Sequence, residues 1–157
     1  MVLSTWNYVL SNYLELEKKE LIYRTEMAVR FSEVDSMGIV WHGNYAKYFE
    51  DGREAFGKEL GLSYLNVYAN KHLTPLVKLD FEYKTPLEYG DSAIIETRYI
   101  DHDAAKIHFE YTIINKKNKQ IAATGSSIQV FLNLKRELVL LCPEFFLDWK
   151  RKMGLIE

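Results

Sequence analysis

The clearest hydrophobic pattern in the chain has the period of a helix. In residues 44–61, apolar side chains and one glycine recur at intervals of three or four residues: Tyr45, Phe49, Gly52, Phe56 and Leu60. At 3.6 residues per turn these positions share one face, while the charged residues between them lie away from its centre. The pattern predicts a long amphipathic helix, with Asn44 as its N-cap and Gly61 as its C-terminal stop.

Most of the remaining chain alternates between apolar and polar residues, as β-strands do. Strands are expected at residues 24–31, 77–84, 92–100, 106–114 and 120–134, with a last short strand at 137–141. In 77–84, apolar side chains alternate with charged ones, so we expect one buried face. The polar stretch 115–119 predicts a tight turn in an antiparallel meander. A C-terminal helix should start after Pro143.

This order, one strand, a long helix and then four or five strands, is typical of an α+β fold in which an antiparallel sheet wraps around one central helix. We expect the domain to span residues 22–141. Residues 1–21 form an N-terminal extension with the pattern of a short amphipathic helix, and residues 142–157 form a C-terminal helical tail.

Composition and charge narrow the class of protein. The 157 residues, 48% of them hydrophobic and 27% charged, suit one folded domain. A net charge of −2 without a dense basic stripe argues against nucleic-acid binding. The start lacks the features of a secretory signal and no run of 18 apolar residues occurs, so we expect a cytoplasmic protein without membrane insertion. The single cysteine, Cys142, excludes an internal disulfide and suits a reducing compartment.

The candidate chemistry lies just before the long helix. Asp35 stands in a segment with turn composition, and His42 follows seven residues later, where the first backbone N–H groups of a helix lack partners. From these patterns alone, a turn-forming aspartate and a capping histidine are the simpler interpretations. The segment 101–103, Asp-His-Asp, favours a solvated turn over a metal site, and we expect neither a metal nor a cofactor. No Gly-x-Ser-x-Gly motif occurs.

Two blocks change this interpretation. The stretch VRFSEVDSMGIVWHGNYAKYFEDGREAF, with its aspartate, glycine, histidine, tyrosine, glutamate and arginine, resembles the opening signature of the 4-hydroxybenzoyl-CoA thioesterase family. The stretch DFEYKTPLEYGDSAIIET is similar to the second block of that family. The resemblance implies a hotdog fold and hydrolysis of an acyl-CoA thioester to free acid and CoA.

The resemblance also implies roles for individual residues. Asp35 would act as a nucleophile, giving a mixed anhydride, or as a general base for water, and the backbone amide of His42 would donate to the oxyanion. We expect Gly43, Asn44 and Tyr45 to contribute to substrate binding, although Tyr45 has the spacing of a core residue as well.

Three further residues, Glu50, Arg53 and Phe31, bear on how closely the chain follows the family. Glu50 lies outside the buried helix face and is expected to pair with Arg53 or to contact another subunit. Phe31 stands where members of the family often have tyrosine.

Two other functions share the fold: a thioesterase acting on acyl carrier protein, and a non-catalytic acyl-CoA-binding protein. An acidic carrier protein would need a basic rim, for which Lys116, Lys117 and Lys119 are the candidates. Members of the family pair edge to edge with sites at the subunit interface, which implies a homodimer or a dimer of dimers.

Overall fold

The computed structural model describes residues 19–157, so most of the N-terminal extension predicted for residues 1–21 lies outside the described part. The strands are β1 (Leu21–Ala28), β2 (His72–Leu73), β3 (Leu76–Tyr83), β4 (Ser92–Ile100), β5 (Lys106–Asn115), β6 (Ile121–Val130) and β7 (Leu132–Asn133). The α-helices are α1 (Tyr45–Leu60), α2 (Tyr64–Ala69) and α3 (Glu144–Met153), and short 3-10 turns occupy Phe31–Glu33 and His42–Asn44.

Five strands form one antiparallel sheet in the order β1-β4-β5-β6-β3, and β2 pairs separately with β7. Helix α1 lies across one face of the large sheet. Its Phe49 ring is stacked between those of Phe81 on β3 and Tyr111 on β5, at centroid distances of 5.0 and 4.3 Å. This α+β arrangement of a sheet around one long helix confirms the predicted fold class.

Glycine allows α1 to approach the sheet closely. A Cβ built on Gly52 would lie 2.6 Å from Thr97 Oγ1 and 2.7 Å from Ile95 Cγ2, both on β4. The helix ends as predicted, because Gly61 adopts a left-handed conformation and donates its N–H to the Gly57 carbonyl.

Several boundaries differ from the prediction. Strand β1 ends at Ala28 rather than at residue 31, because the chain turns where the Glu33 carboxylate accepts the N–H of Arg30. Asn44 occupies the predicted N-cap position of α1, but its side chain makes no capping bond and donates to the Glu33 carbonyl instead, because the 3-10 turn His42–Asn44 already begins the helical path. The strand predicted at residues 137–141 is reduced to one bridge between Leu138 and Leu132.

The face of β3 that was expected to be buried is only half covered. Leu79 and Phe81 are partly buried, but Val77 and Tyr83 are 58% and 50% exposed. The physical reason is the position of β3 at the edge of the sheet, where β6 is its one neighbouring strand among the described residues.

The C-terminal helix α3 completes the core. Phe146 and Trp149 are buried, and the Trp149 indole donates to the Leu60 carbonyl at the end of α1. Lys150 is also buried and pairs with Asp101 at 2.8 Å, so the segment 101–103 is not simply a solvated turn. Within residues 19–157, the helices lack the combination of length and apolar character that crossing a membrane requires.

Candidate active site

A cleft of about 300 Å³ opens between the loop before α1, the start of α1 and the end of β3. It brings together three of the residues singled out from the sequence, Asp35, His42 and Tyr45. Its other lining residues are Met37, Ile39, Val40, Tyr83, Lys84, Thr85 and Pro86. The lining is therefore mainly apolar, with one carboxylate, that of Asp35, in the loop before the helix.

Asp35 is held in a tight turn at this cleft. Its backbone carbonyl accepts the Gly38 N–H at 3.0 Å, its N–H donates to the Ile39 carbonyl, and Oδ1 accepts the Met37 N–H at 2.8 Å. Gly38 takes a positive φ of 76°, which is why glycine suits this position. The other carboxylate oxygen, Oδ2, has no hydrogen-bond partner within residues 19–157. Turn formation thus uses one oxygen of Asp35 and leaves the second for chemistry.

The helical path begins at His42, on the same wall of the cleft. The first helical N–H groups, those of His42 and Gly43, have no acceptor within the helix, so the positive end of the helix dipole is directed outward here. The imidazole is exposed and lies beside the Trp41 indole, at 4.9 Å between ring centroids.

Gly43 and Asn44 follow His42 but do not line the cleft. The Trp41 ring fills the space that a Cβ on Gly43 would need, so the absence of a side chain there serves this ring contact. Asn44 is buried, and its amide donates to the Glu33 carbonyl at 2.8 Å. This hydrogen bond of Asn44 connects the loop that contains Glu33 to the start of the helix.

Two tyrosines close the apolar side of the cleft. Tyr45 is buried, and burial raises the pKa of its hydroxyl. Its ring meets that of Tyr83 edge to face at 5.2 Å, and the Tyr83 hydroxyl donates to the His42 carbonyl at 3.1 Å. Tyr45 therefore serves both the core and the cleft. The contribution of Tyr83 and Pro86 was missed from the sequence, although both belong to the second block that carries the family resemblance.

Glu50 and Arg53 lie elsewhere. They line a different cavity of about 310 Å³ between α1, α2 and the start of β3, and they pair at 3.7 Å as expected from their spacing. Phe31, the position that departs from tyrosine, is 76% exposed, packs against Tyr89 and is not among the residues that line the cleft.

Known proteins resemble the chain in sequence and in fold. A family model described as the thioesterase-like superfamily matches residues 29–150. The Bacillus subtilis protein named "Putative acyl-CoA thioesterase YneP" is 38% identical over 110 residues, which cover 69% of this chain and 80% of that protein. The chloroplastic acyl-acyl carrier protein thioesterase ATL3 of Arabidopsis thaliana is 27% identical over 72% of this chain and 60% of its own.

Among solved structures, a DHNA-CoA thioesterase from Staphylococcus aureus superposes with a TM-score of 0.75 at 28% identity, covering 85% of this chain and 89% of that one. The residues matched by the family model, 29–150, include the loop, the helix start and the end of β3 that line the cleft. The chain belongs to the thioesterase-like superfamily, has its hotdog fold, and is a thioester hydrolase.

Proposed function

We propose that the protein is an acyl-CoA thioesterase that hydrolyses its substrate in the cleft at Asp35. The observation that carries the proposal is one mainly apolar cleft that holds a carboxylate and a helix start. Within residues 19–157, one oxygen of that carboxylate and the first N–H groups of the helix have no hydrogen-bond partner. Thioester hydrolysis needs these two elements, a base or nucleophile and a donor to the developing oxyanion.

The reaction can proceed at Asp35 in two ways. As a general base, the carboxylate takes a proton from water while the water oxygen adds to the carbonyl carbon. The carbon–sulfur bond then breaks, and the thiolate leaves and takes up a proton. As a nucleophile, Asp35 displaces the thiolate to form a mixed anhydride, which water then hydrolyses. In both routes the amide of His42 donates to the carbonyl oxygen as it gains negative charge.

The apolar lining supports an acyl group as the part of the substrate that enters the cleft. Met37, Ile39, Val40 and Pro86 offer surface to a hydrocarbon or aromatic group, and the Tyr45 and Tyr83 rings form one side. Lys84 is the cleft's basic side chain, but its ammonium already pairs with Glu82 at 2.6 Å.

A carrier-protein thioesterase is the second candidate, because ATL3 is named for that activity. It would need a basic surface for an acidic carrier. In the hairpin turn all three lysines are exposed, and Lys116 is paired with Glu26 at 2.7 Å, so Lys117 and Lys119 are the cations there without an ion pair within residues 19–157. We place the CoA thioester first because the Bacillus subtilis relative, at 38% identity, is named as a putative acyl-CoA thioesterase.

We further propose that two copies of the chain pair through β3 and form a homodimer or a dimer of dimers. The strand is eight residues long, lies at the edge of the sheet and exposes Leu76, Val77 and Tyr83. Within residues 19–157 no second strand pairs with β3 on its outer side, and an exposed edge of this length tends to pair with another chain. Sedimentation at micromolar concentration should show an assembly, and a monomer would contradict this arrangement.

Thiol release from short, long and aromatic acyl-CoAs, with acyl carrier protein conjugates alongside, tests the function. We expect hydrolysis of at least one acyl-CoA, and a loss of about 100-fold or more in Asp35→Ala. Asp103→Ala, at an exposed aspartate, is the matched control and should keep the parent rate. Cys142→Ser shows how much of the thiol signal comes from the protein's own cysteine, whose pKa is raised by burial. Full activity in Asp35→Ala would refute the role of the carboxylate.

A further inference from the structure

Glu33, two residues before Asp35, forms hydrogen bonds through its carboxylate, its backbone carbonyl and its backbone N–H. Its carboxylate oxygen Oε2 accepts the Tyr48 hydroxyl and the Arg30 N–H, both at 2.8 Å. Its carbonyl accepts the Trp41 N–H at 2.9 Å and the Asn44 amide at 2.8 Å. Its own N–H donates to the Arg30 carbonyl at 3.0 Å. Five hydrogen bonds thus converge on one residue of the loop.

These bonds join the two halves of the candidate site. Trp41 and Asn44 flank the helix start at His42, and Tyr48 lies one turn further along α1. Glu33 is therefore bonded to the 3-10 turn before α1, through Asn44, and to the first turn of α1, through Tyr48, while the bridge between Val34 and Val40 pairs the two sides of the Asp35 loop. The position of the Asp35 carboxylate relative to the His42 amide depends on this fastening.

The Tyr48 contact is well suited to a fixed geometry. The tyrosine is 2% exposed, and burial together with the hydrogen bond to Glu33 raises the pKa of its hydroxyl, so it stays a donor. Its ring also packs edge to face on that of Tyr45, which lines the cleft. A partly buried hydrogen bond to a charged acceptor is stronger than one in water.

We propose that Glu33 is a positioning residue of the thioesterase site, which sets the alignment of Asp35 with the N–H groups at the start of α1. This inference rests on the proposed function. Glu33 does not line the cleft and does not act on the substrate. The side chain supplies two of the five bonds, those to Tyr48 and to the Arg30 N–H, and the other three are made by the Glu33 backbone. Because catalysis is sensitive to displacements of about 1 Å, loss of the two carboxylate bonds should slow the chemical step more than it weakens binding.

Steady-state kinetics of Glu33→Ala and Glu33→Gln test the proposal. We expect Glu33→Ala to lower kcat by about 10- to 100-fold with KM changed by less than about 3-fold. Glu33→Gln keeps an oxygen acceptor and should recover kcat to within about 5-fold of the parent. Glu59→Ala, an exposed glutamate of α1, is the control. Unchanged kcat in Glu33→Ala, or a glutamine variant as slow as the alanine variant, would overturn the proposal.

A second readout does not depend on turnover. Hydrogen exchange of peptides covering residues 34–44 should become about 10-fold faster in Glu33→Ala while the exchange of β4 and β5 stays unchanged. If Glu33→Ala does not fold, Tyr48→Phe removes one of the five hydrogen bonds and should lower kcat by about 3- to 10-fold with the same faster exchange. Unchanged exchange in the folded variant would overturn the proposal. A parent protein that releases no thiol would instead refute the proposed function.

Discussion

Thr97 and Ser127 are two fully buried hydroxyl-bearing residues in the same core, and they differ in hydrogen bonding. Ser127 Oγ lies 2.6 Å from the Tyr111 hydroxyl, whereas Thr97 Oγ1 is the one buried side-chain polar atom without a partner within residues 19–157. An unpaired buried hydroxyl costs free energy, and a paired one is costly to remove.

We predict opposite effects of removing these hydroxyl groups. Thr97→Val should raise the free energy of unfolding by about 1 kcal/mol, because the apolar methyl replaces an unsatisfied oxygen. Ser127→Ala should lower it by about 1–3 kcal/mol, because the Tyr111 hydroxyl loses its short buried hydrogen bond and is left with the long Arg53 contact at 3.5 Å. Urea unfolding of both variants measures the difference. A Thr97→Val variant less stable than its parent would show that the hydroxyl has a partner in solution.

At the scale of elements, the contact between α1 and the sheet depends on Gly52. Alanine is favoured over glycine by about 1 kcal/mol in a helix interior. Here the added Cβ would come within 2.6 Å of Thr97 Oγ1 and 2.7 Å of Ile95, well inside normal contact distances.

We therefore predict that Gly52→Ala destabilises the protein despite the gain in helix propensity. Overpacking of this kind costs about 1–3 kcal/mol, which outweighs the propensity term. Thermal unfolding measures the net effect, and Glu59→Ala on the exposed side of α1 is the control. A higher Tm for Gly52→Ala would mean that the helix can shift away from β4 at little cost.

The elements that the sequence predicted well are those whose pattern persists over several turns or alternations. Helix α1 and strands β4 and β5 agree with the predicted ranges to within a residue or two. Helix α2 and the pair of β2 and β7 are too short to show a period, although Ser63 and Asn66 form a capping box that marks the start of α2.

The candidate site was predictable only in part, for a similar reason. Asp35 and His42 follow from the family motif, and the structure places both in one cleft. The contribution of Tyr83 depends on how the end of β3 folds back onto the helix start, and the fastening at Glu33 depends on contacts with residues 8–15 positions further along the chain. Such contacts have no local pattern.

At the scale of the whole molecule, hydrogen bonds of histidine and lysine side chains link separate elements. His102 and His108 lie with ring nitrogens 2.9 Å apart, and Lys150 on α3 donates to the His102 carbonyl. The pKa of His108 is lowered by burial and by the neighbouring His102. The charges of Glu110 and Asp80 raise the pKa of His108, and the charge of Lys106 lowers it.

Stability should therefore fall in mild acid. Below pH 6.5, the ordinary pKa of histidine, the unfolded chain takes up a proton at His108 that the folded protein resists, so the free energy of unfolding decreases with falling pH. We expect the Tm to drop between pH 7.5 and pH 5.5, and to drop less in His108→Gln. An equal drop in both proteins would assign the pH dependence to other groups.

The most direct test of the central claim, that the thioester is hydrolysed at Asp35, separates binding from chemistry. Single-turnover hydrolysis of the best acyl-CoA, with its Kd measured in parallel, should be compared for the parent and Asp35→Asn, which has nearly the same shape. The predicted result is a Kd within about 3-fold of the parent and a hydrolysis step slower by about 100-fold or more. An unchanged hydrolysis step in Asp35→Asn would contradict the assignment of the active site to this cleft.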